Sequence, residues 1–249
     1  MRKVFINADD FGVNASVNKA IVELLNKGVI NSTTLMANMP GFSEAVKLAH
    51  QHKLIDKIGV HLVLTEGPPL TPEIKSVSFL FNGKDKYRKF RYRLFLFRKR
   101  YRKLIYNEFA AQIEMLQKNN IPITHIDTHH HIHEVFTITK IILELKEKYN
   151  IPSIRILNNL EKPTKFYKRI YRHLVNYYIK NKKANYSELF GNRSDFIEIL
   201  NNNPSIIGEK SIEVMVHPDY NYEGEIIDKV GLNKFDFSYL ESQKVNASV

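Results

Sequence analysis

Apolar side chains recur along the first 64 residues in two alternating rhythms. Short runs of β-forming residues, Lys3–Asn7 (KVFIN), Ser32–Asn38 (STTLMAN) and Ile58–Leu64 (IGVHLVL), read as strands. Val17–Lys27 and Phe42–His52 instead carry apolar positions at helical spacing and read as amphipathic helices. Asn14 or Ser16 can cap the first helix and Gly28 can end it. The polar ADDFG segment is expected to break the first strand as a turn.

The cadence resumes later in the chain. Phe136–Tyr149 predicts a helix, Ser153–Leu157 (SIRIL) a strand, Thr164–Lys182 a basic helix, Asp195–Asn201 a short helix and Ile212–Val216 (IEVMV) a last strand. Strands alternating with helices argue for βαβ units and an α/β fold with a parallel sheet, open or closed into a barrel. Between them, residues 65–106 break the rhythm with GPPLTP and then a basic stretch, which predicts an insertion or lid. Tyr87–Asn119 reads as a long helix, interrupted or continuous, and the chain beyond Asp228 has no assignable pattern.

The stretch between these halves, ITHIDTHHHIH (123–133), concentrates chemistry. It holds five of the ten histidines, with Asp127 among them. In an extended strand His125, Asp127, His129, His131 and His133 would share a face, because side chains alternate. Imidazole is a common metal ligand, and a neighbouring carboxylate fixes which ring nitrogen is free to bind. Other polar residues fall at strand ends in the same way: Asp9 and Asp10 after the first, His61 late in the third, His217 after the last. Parallel α/β folds gather their functional groups there. Adjacent Asp9 and Asp10 should face opposite ways in extended backbone, so one could hold a metal and the other a proton.

Composition narrows the picture. A chain of 249 residues suffices for one large domain, and no apolar run approaches the roughly 20 residues that span a bilayer. MRKVFINADD is too briefly apolar for a signal peptide, so a cytoplasmic protein is expected. Without cysteine, thiolate chemistry is excluded and any metal must take N/O ligands. The net charge of +11 is local: residues 84–103 carry eleven Lys/Arg against Asp85, and 162–183 carry eight with no acid.

Taken together, Asn7-Ala8-Asp9-Asp10-Phe11-Gly12, Gly59-Val60-His61-Leu62, Leu64-Thr65-Glu66-Gly67, the 124–133 segment and His217-Pro218-Asp219-Tyr220 resemble the YdjC-like carbohydrate deacetylases, including the chitooligosaccharide deacetylases. That resemblance implies a single-domain (β/α) barrel, distorted or incomplete, over 1–249. It implies one divalent ion, Mg²⁺ ahead of Zn²⁺, and removal of N-acetyl groups from a small carbohydrate. Asp10, His61 and His129 correspond to the metal ligands, Asp9 to the catalytic base and His217 to the acid. The basic 84–103 stretch is unusual for the family and suits an anionic glycan or peripheral contact with an acidic surface. Two other readings are a metal-dependent phosphoesterase, which would have a two-metal centre, and a nucleic-acid-binding protein using YRKFRYRLFLFRKRYRKLIY. The second leaves the strand-end acids and histidines unexplained, so no specific nucleic acid is expected.

Overall fold

Seven short runs of buried aliphatic and β-branched residues form parallel strands: β1 (Val4–Phe11), β2 (Ser32–Leu35), β3 (Ile58–Leu62), β4 (His125–Thr128), β5 (Ser153–Ile154), β6 (Leu189–Asn192) and β7 (Ile212–Val216). The computed structural model describes residues 4–81, 101–160 and 166–230, and the backbone of 233–234. Its sheet has the order β5-β4-β3-β2-β1-β7-β6 and curls into a half-barrel, so the distorted α/β barrel expected from the sequence is what forms. The two edges approach each other: the backbone amides of Asn159 and Leu160, just past β5, donate to the Phe190 carbonyl of β6 at 3.1 and 3.2 Å.

Seven helices accompany these strands among the described residues: α1 (Ala15–Asn26), α2 (Phe42–Gln51), α3 (Arg102–Lys118), α4 (Phe136–Lys148), α5 (Phe166–Lys180), α6 (Arg193–Asn202) and α7 (Ile206–Glu209). Asn14 caps α1 by accepting from the Val17 amide at 3.0 Å, while Ser16 turns away to donate to Asp219. Gly59 shows how closely the strands pack. A Cβ there would come within 2.6 Å of the His125 ring, so β3 can lie against β4 only with no side chain at that position. Among the described residues no helix is long and apolar enough to cross a membrane.

Four expectations change. β1 does not break at Asn7 but runs through Phe11, with a register irregularity between Ala8 and Phe11. The histidine strand ends at Thr128, and His129–Glu134 form a 3-10 segment kinked by left-handed backbone at His130 and His131. β6 is an additional edge strand, unreadable as LFGN because four residues carry no period. A second sheet, antiparallel β8 (Pro218–Tyr220), β9 (Ile226–Asp228) and β10 (Asn233–Lys234), occupies part of the unassigned tail. All but the last three residues of the basic 84–103 stretch lie outside the described residues, as does the first part, 87–100, of the helix expected to begin at Tyr87; its remainder is α3.

The first part of the 65–106 excursion is tied to α3 by two buried polar side chains. Gln112 exchanges two 2.8 Å hydrogen bonds with the backbone of Val63 and donates to Glu108 at 2.9 Å. Glu108, fully buried, also accepts from the amides of Leu70 and Thr71 at 3.0 and 2.8 Å and from the Thr71 hydroxyl at 2.6 Å. Glu108→Ala would strand these donors, so a loss of about 3 kcal/mol is expected, at one to three per unsatisfied group after relaxation. Urea denaturation measures it, and a loss below about 1 kcal/mol would mean that water replaces the carboxylate.

Candidate active site

Register brings the strand-end groups together. His61 on β3 stands directly opposite Asp127 on β4, and its Nδ1 lies 2.7 Å from Asp127 Oδ1. That contact fixes the ring and turns Nε2 toward Asp10, whose Oδ1 is 3.3 Å away. Asp10 reaches this position because its backbone is left-handed, with φ 70°. A non-glycine residue enters that region at a cost, and here it bends the end of β1 so that Asp9 and Asp10 both line one cavity. The opposite facing expected of adjacent residues is therefore lost to a local departure from extended backbone.

His129 approaches from the other side. Its Nδ1 is 3.1 Å from Asp10 Oδ1 and its Nε2 is 3.1 Å from Glu66 Oε2. The left-handed pair His130 and His131, with φ 52° and 50°, turns the chain sharply after it. Consequently the five alternate positions do not share a face. His125 and Asp127, alternate residues of β4, still do, with His125 contacting Asn7 at 3.0 Å, but His133 is buried between Thr128 and the Ile156 carbonyl.

Beneath this cluster lies a buried guanidinium. Arg155, from the apolar SIRIL run, sits inside the curled sheet with a fully buried side chain. Its Nη atoms are 2.7 Å from both Asp9 oxygens and from Asp127 Oδ2, and its Nε donates to Glu213 at 2.6 Å. Asn7 donates to Asp9 Oδ1 at 2.9 Å. Burial alone would raise the Asp9 pKa, but Arg155, and after it His61 and His217, hold the carboxyl well below the usual range. Glu213 moves the other way, because burial outweighs its share of the guanidinium and the neighbouring Asp127 and Asp9 charges oppose ionisation.

The donors Asp10, His61 and His129 lie within 4.8 Å of one another and suit a divalent cation. Asp10 Oδ1 is buried without a hydrogen bond, although both imidazole nitrogens are near it. Three donor atoms converging on a common point, and not aligned on one another, is what a cation between them requires. The electrostatics agree. Burial disfavours a charged His61, yet Asp127 and then Asp10 push its pKa up to about 10, so the pair of carboxylates demands a positive charge there. Burial likewise opposes ionised Asp10, but His129 and His61 hold it well below its ordinary value.

These groups open onto a cavity of about 760 Å³ lined also by Glu66, His130, His131 and His217. The cavity thus brings together all five residues singled out from the sequence: Asp9, Asp10, His61, His129 and His217. His217 follows β7, and its backbone is held by Asp228 and Lys229 of the antiparallel hairpin. Arg155, Glu66 and Glu213 were not singled out as site residues. A lone arginine in an otherwise apolar strand was the available signal for Arg155, and for Glu66 its place in the Leu64-Thr65-Glu66-Gly67 motif, while Glu213 gave none outside its spatial setting.

A profile of the YdjC-like protein family matches residues 3–248. A carbohydrate deacetylase of Brevibacillus brevis is 39% identical over 150 residues, which cover 60% of this chain and 58% of that protein. One from Clostridium beijerinckii is 31% identical over 233 residues, covering 88% and 82%. The first match therefore spans less than two thirds of that relative. A solved structure from Enterococcus faecalis V583, of a protein with a proposed role in cellobiose-phosphate cleavage, shares the fold at TM-score 0.68 and 23% identity, over 98% of this chain and 90% of that one.

Two expectations follow from the electrostatics. Arg155→Met would leave Asp9 and Asp127 buried without their cation, so a loss of about 3–5 kcal/mol is expected in urea melts, and a loss under 1 would contradict the account. The second concerns His133. Burial, and then the Arg155 charge, lower its pKa to about 4 from 6.5, so the neutral ring belongs to the folded state. Its contribution is complete above pH 6.5 and is lost as pH falls toward 4, the sense of a depressed group. His133→Gln keeps a donor and an acceptor without titrating. Its stability should fall less than the wild type's between pH 7 and 4.5, by up to roughly 3 kcal/mol at 1.4 kcal/mol per pKa unit, and equal slopes would show that other groups govern acid sensitivity.

Proposed function

The chain belongs to the YdjC-like protein family, and from that premise we propose that it is a metal-dependent hydrolase removing N-acetyl groups from an amino-sugar-containing carbohydrate. The observation that carries the reading is the convergence of Asp10, His61 and His129 on one buried point in a cavity that also holds Asp9 and His217. A divalent ion, Mg²⁺ ahead of Zn²⁺, would be held by those three residues and would polarise the amide carbonyl and acidify the attacking water. The chain's own groups account for the rest. Asp127 and Glu66 orient the rings of His61 and His129 by engaging the nitrogens turned away from Asp10. Asp9, kept ionised by Arg155, accepts the proton from water. Its depressed pKa makes it a weak base, suited to a water already acidified. His217, leaving the strand next to that of Asp9 and near enough for its charge to act on Asp9, delivers a proton to the departing amine.

The cavity volume accommodates a small oligosaccharide, and a chitooligosaccharide-like substrate is the first to try. A phosphoesterase finds support in one feature, a second group formed by Glu66, His129 and His130. That arrangement would make the His129 imidazole bridge two ions, whereas its contact with Glu66 is already explained by ring orientation. The charge of the basic 84–103 stretch, most of which lies outside the described residues, suits an anionic glycan.

A panel of neutral and anionic N-acetylated oligosaccharides, assayed for released acetate with and without chelator, tests the reading. Acetate release that chelator abolishes is expected, and phosphate release from sugar phosphates in its place would favour the phosphoesterase. His129→Ala should lose most bound metal by elemental analysis. Asp9→Asn should keep the metal and lose roughly 10²–10⁴-fold in rate, the usual size of a general acid–base contribution, whereas metal loss in that variant would exchange the roles of Asp9 and Asp10.

A further inference from the structure

Large hydrophobic side chains exposed among the described residues are concentrated on α5, which carries five of nine. Phe166, Ile170, Leu174 and Tyr177 are 67, 44, 59 and 65% exposed. Their helical spacing aligns them in one stripe. The opposite face of the helix, with Val175, Asn176 and Ile179, is buried in the core. Among the described residues, the outer stripe is therefore not part of the core. Contiguous exposed apolar surface of this kind marks an interaction site.

Charge identifies the partner. Residues 162–183 carry eight Lys/Arg and no acid. Lys168 and Arg169 are exposed in the first turns, with the Arg169 guanidinium 5.5 Å from the Phe166 ring centroid, and Lys182 and Lys183 are exposed just past the helix. A helix with aromatic and aliphatic residues on its outer face, bordered by Lys and Arg alone, is built to lie in the plane of an anionic bilayer. Nucleic acid would use the cations and could stack on Phe166 or Tyr177, but it gives Ile170 and Leu174 no role. We infer that α5 is a peripheral docking helix, its stripe entering the headgroup–acyl boundary and its cations meeting lipid phosphates. No helix among the described residues could span a bilayer, so the contact is superficial. The helix is also anchored to the active-site side of the molecule. Tyr171 donates to the Glu134 carbonyl and accepts from the Phe136 amide at 3.2 Å, and Arg172 pairs with Glu134 at 3.2 Å. Glu134 ends the turn that begins at His129, so docking holds that segment beside the surface.

The test uses the full chain and flotation with vesicles of phosphatidylcholine alone or with one quarter phosphatidylglycerol. Wild type should bind the anionic vesicles at least ten-fold more tightly than the neutral ones, and less tightly as salt rises. The exposed triple substitution F166S/I170S/L174S should leave Tm unchanged and weaken anionic-vesicle binding ten-fold or more. K168Q/R169Q should weaken it several-fold while sparing any residual affinity for neutral vesicles. Equal binding by wild type and the triple variant, or no binding by wild type, overturns the inference. So does a wild-type dimer that the triple substitution converts to monomer, or single-stranded RNA binding that survives it in a protein that ignores vesicles. Because the readout is binding, a negative result here leaves the catalytic reading untouched, and absence of deacetylase activity leaves this one untouched.

Discussion

The buried ion cluster around Arg155 is the constraint from which the rest of the site follows. One guanidinium faces carboxylates from three different strands, Asp9 of β1, Asp127 of β4 and Glu213 of β7. Strands so far apart in sheet order can present side chains to a single group only if the sheet curls, so the half-barrel and the cluster require each other. Burying such a set without full pairing would be strongly destabilising. The guanidinium is shared unequally, and the outcome is functional as well as structural: Asp9 stays charged, Glu213 is pushed toward its neutral form, and Asp127 is fixed where it can orient His61.

Above this floor, two local departures from regular backbone aim the groups that face the cavity. Left-handed Asp10, one residue before the end of β1, turns its carboxylate toward His61, and left-handed His130 and His131 let the chain turn away once His129 is delivered. Neither conformation is favourable by itself. Each is held by its surroundings: Asp10 by the backbone bond from Val13 to its carbonyl at 3.1 Å, and the histidine turn by His130 on Thr65 at 2.9 Å and His133 on Thr128 at 2.6 Å. The 65–81 segment joins the same arrangement, since Glu108 and Gln112 hold the loop that carries Glu66 against His129. Residues far apart in the chain thus converge on the orientation of two rings.

Much of this was legible in the order of residues. Alternating periodicities announced parallel strands and covering helices, and helix limits such as the Asn14 cap could be read directly. Polar residues at successive strand ends announced one site, because a parallel sheet delivers all its C-terminal ends to the same rim. For Asp9, Asp10, His61, His129 and His217 strand-end position was enough, since the topology does the gathering.

What only the tertiary structure decided concerns contacts between distant strands and backbone that leaves its regular form. Alternation along 123–133 suggested a shared face for five side chains, but the strand stops at Thr128, where the chain trades ladder bonds for side-chain bonds made by His130 and His133. Asp9 and Asp10 share a cavity for a similar reason, a turn in φ that neighbouring residue types do not dictate. Arg155 looked like one cation in an apolar strand. Its role depends on the curl of the sheet and on the register that sets three carboxylates around it, and both are properties of packed strands, absent from any single segment.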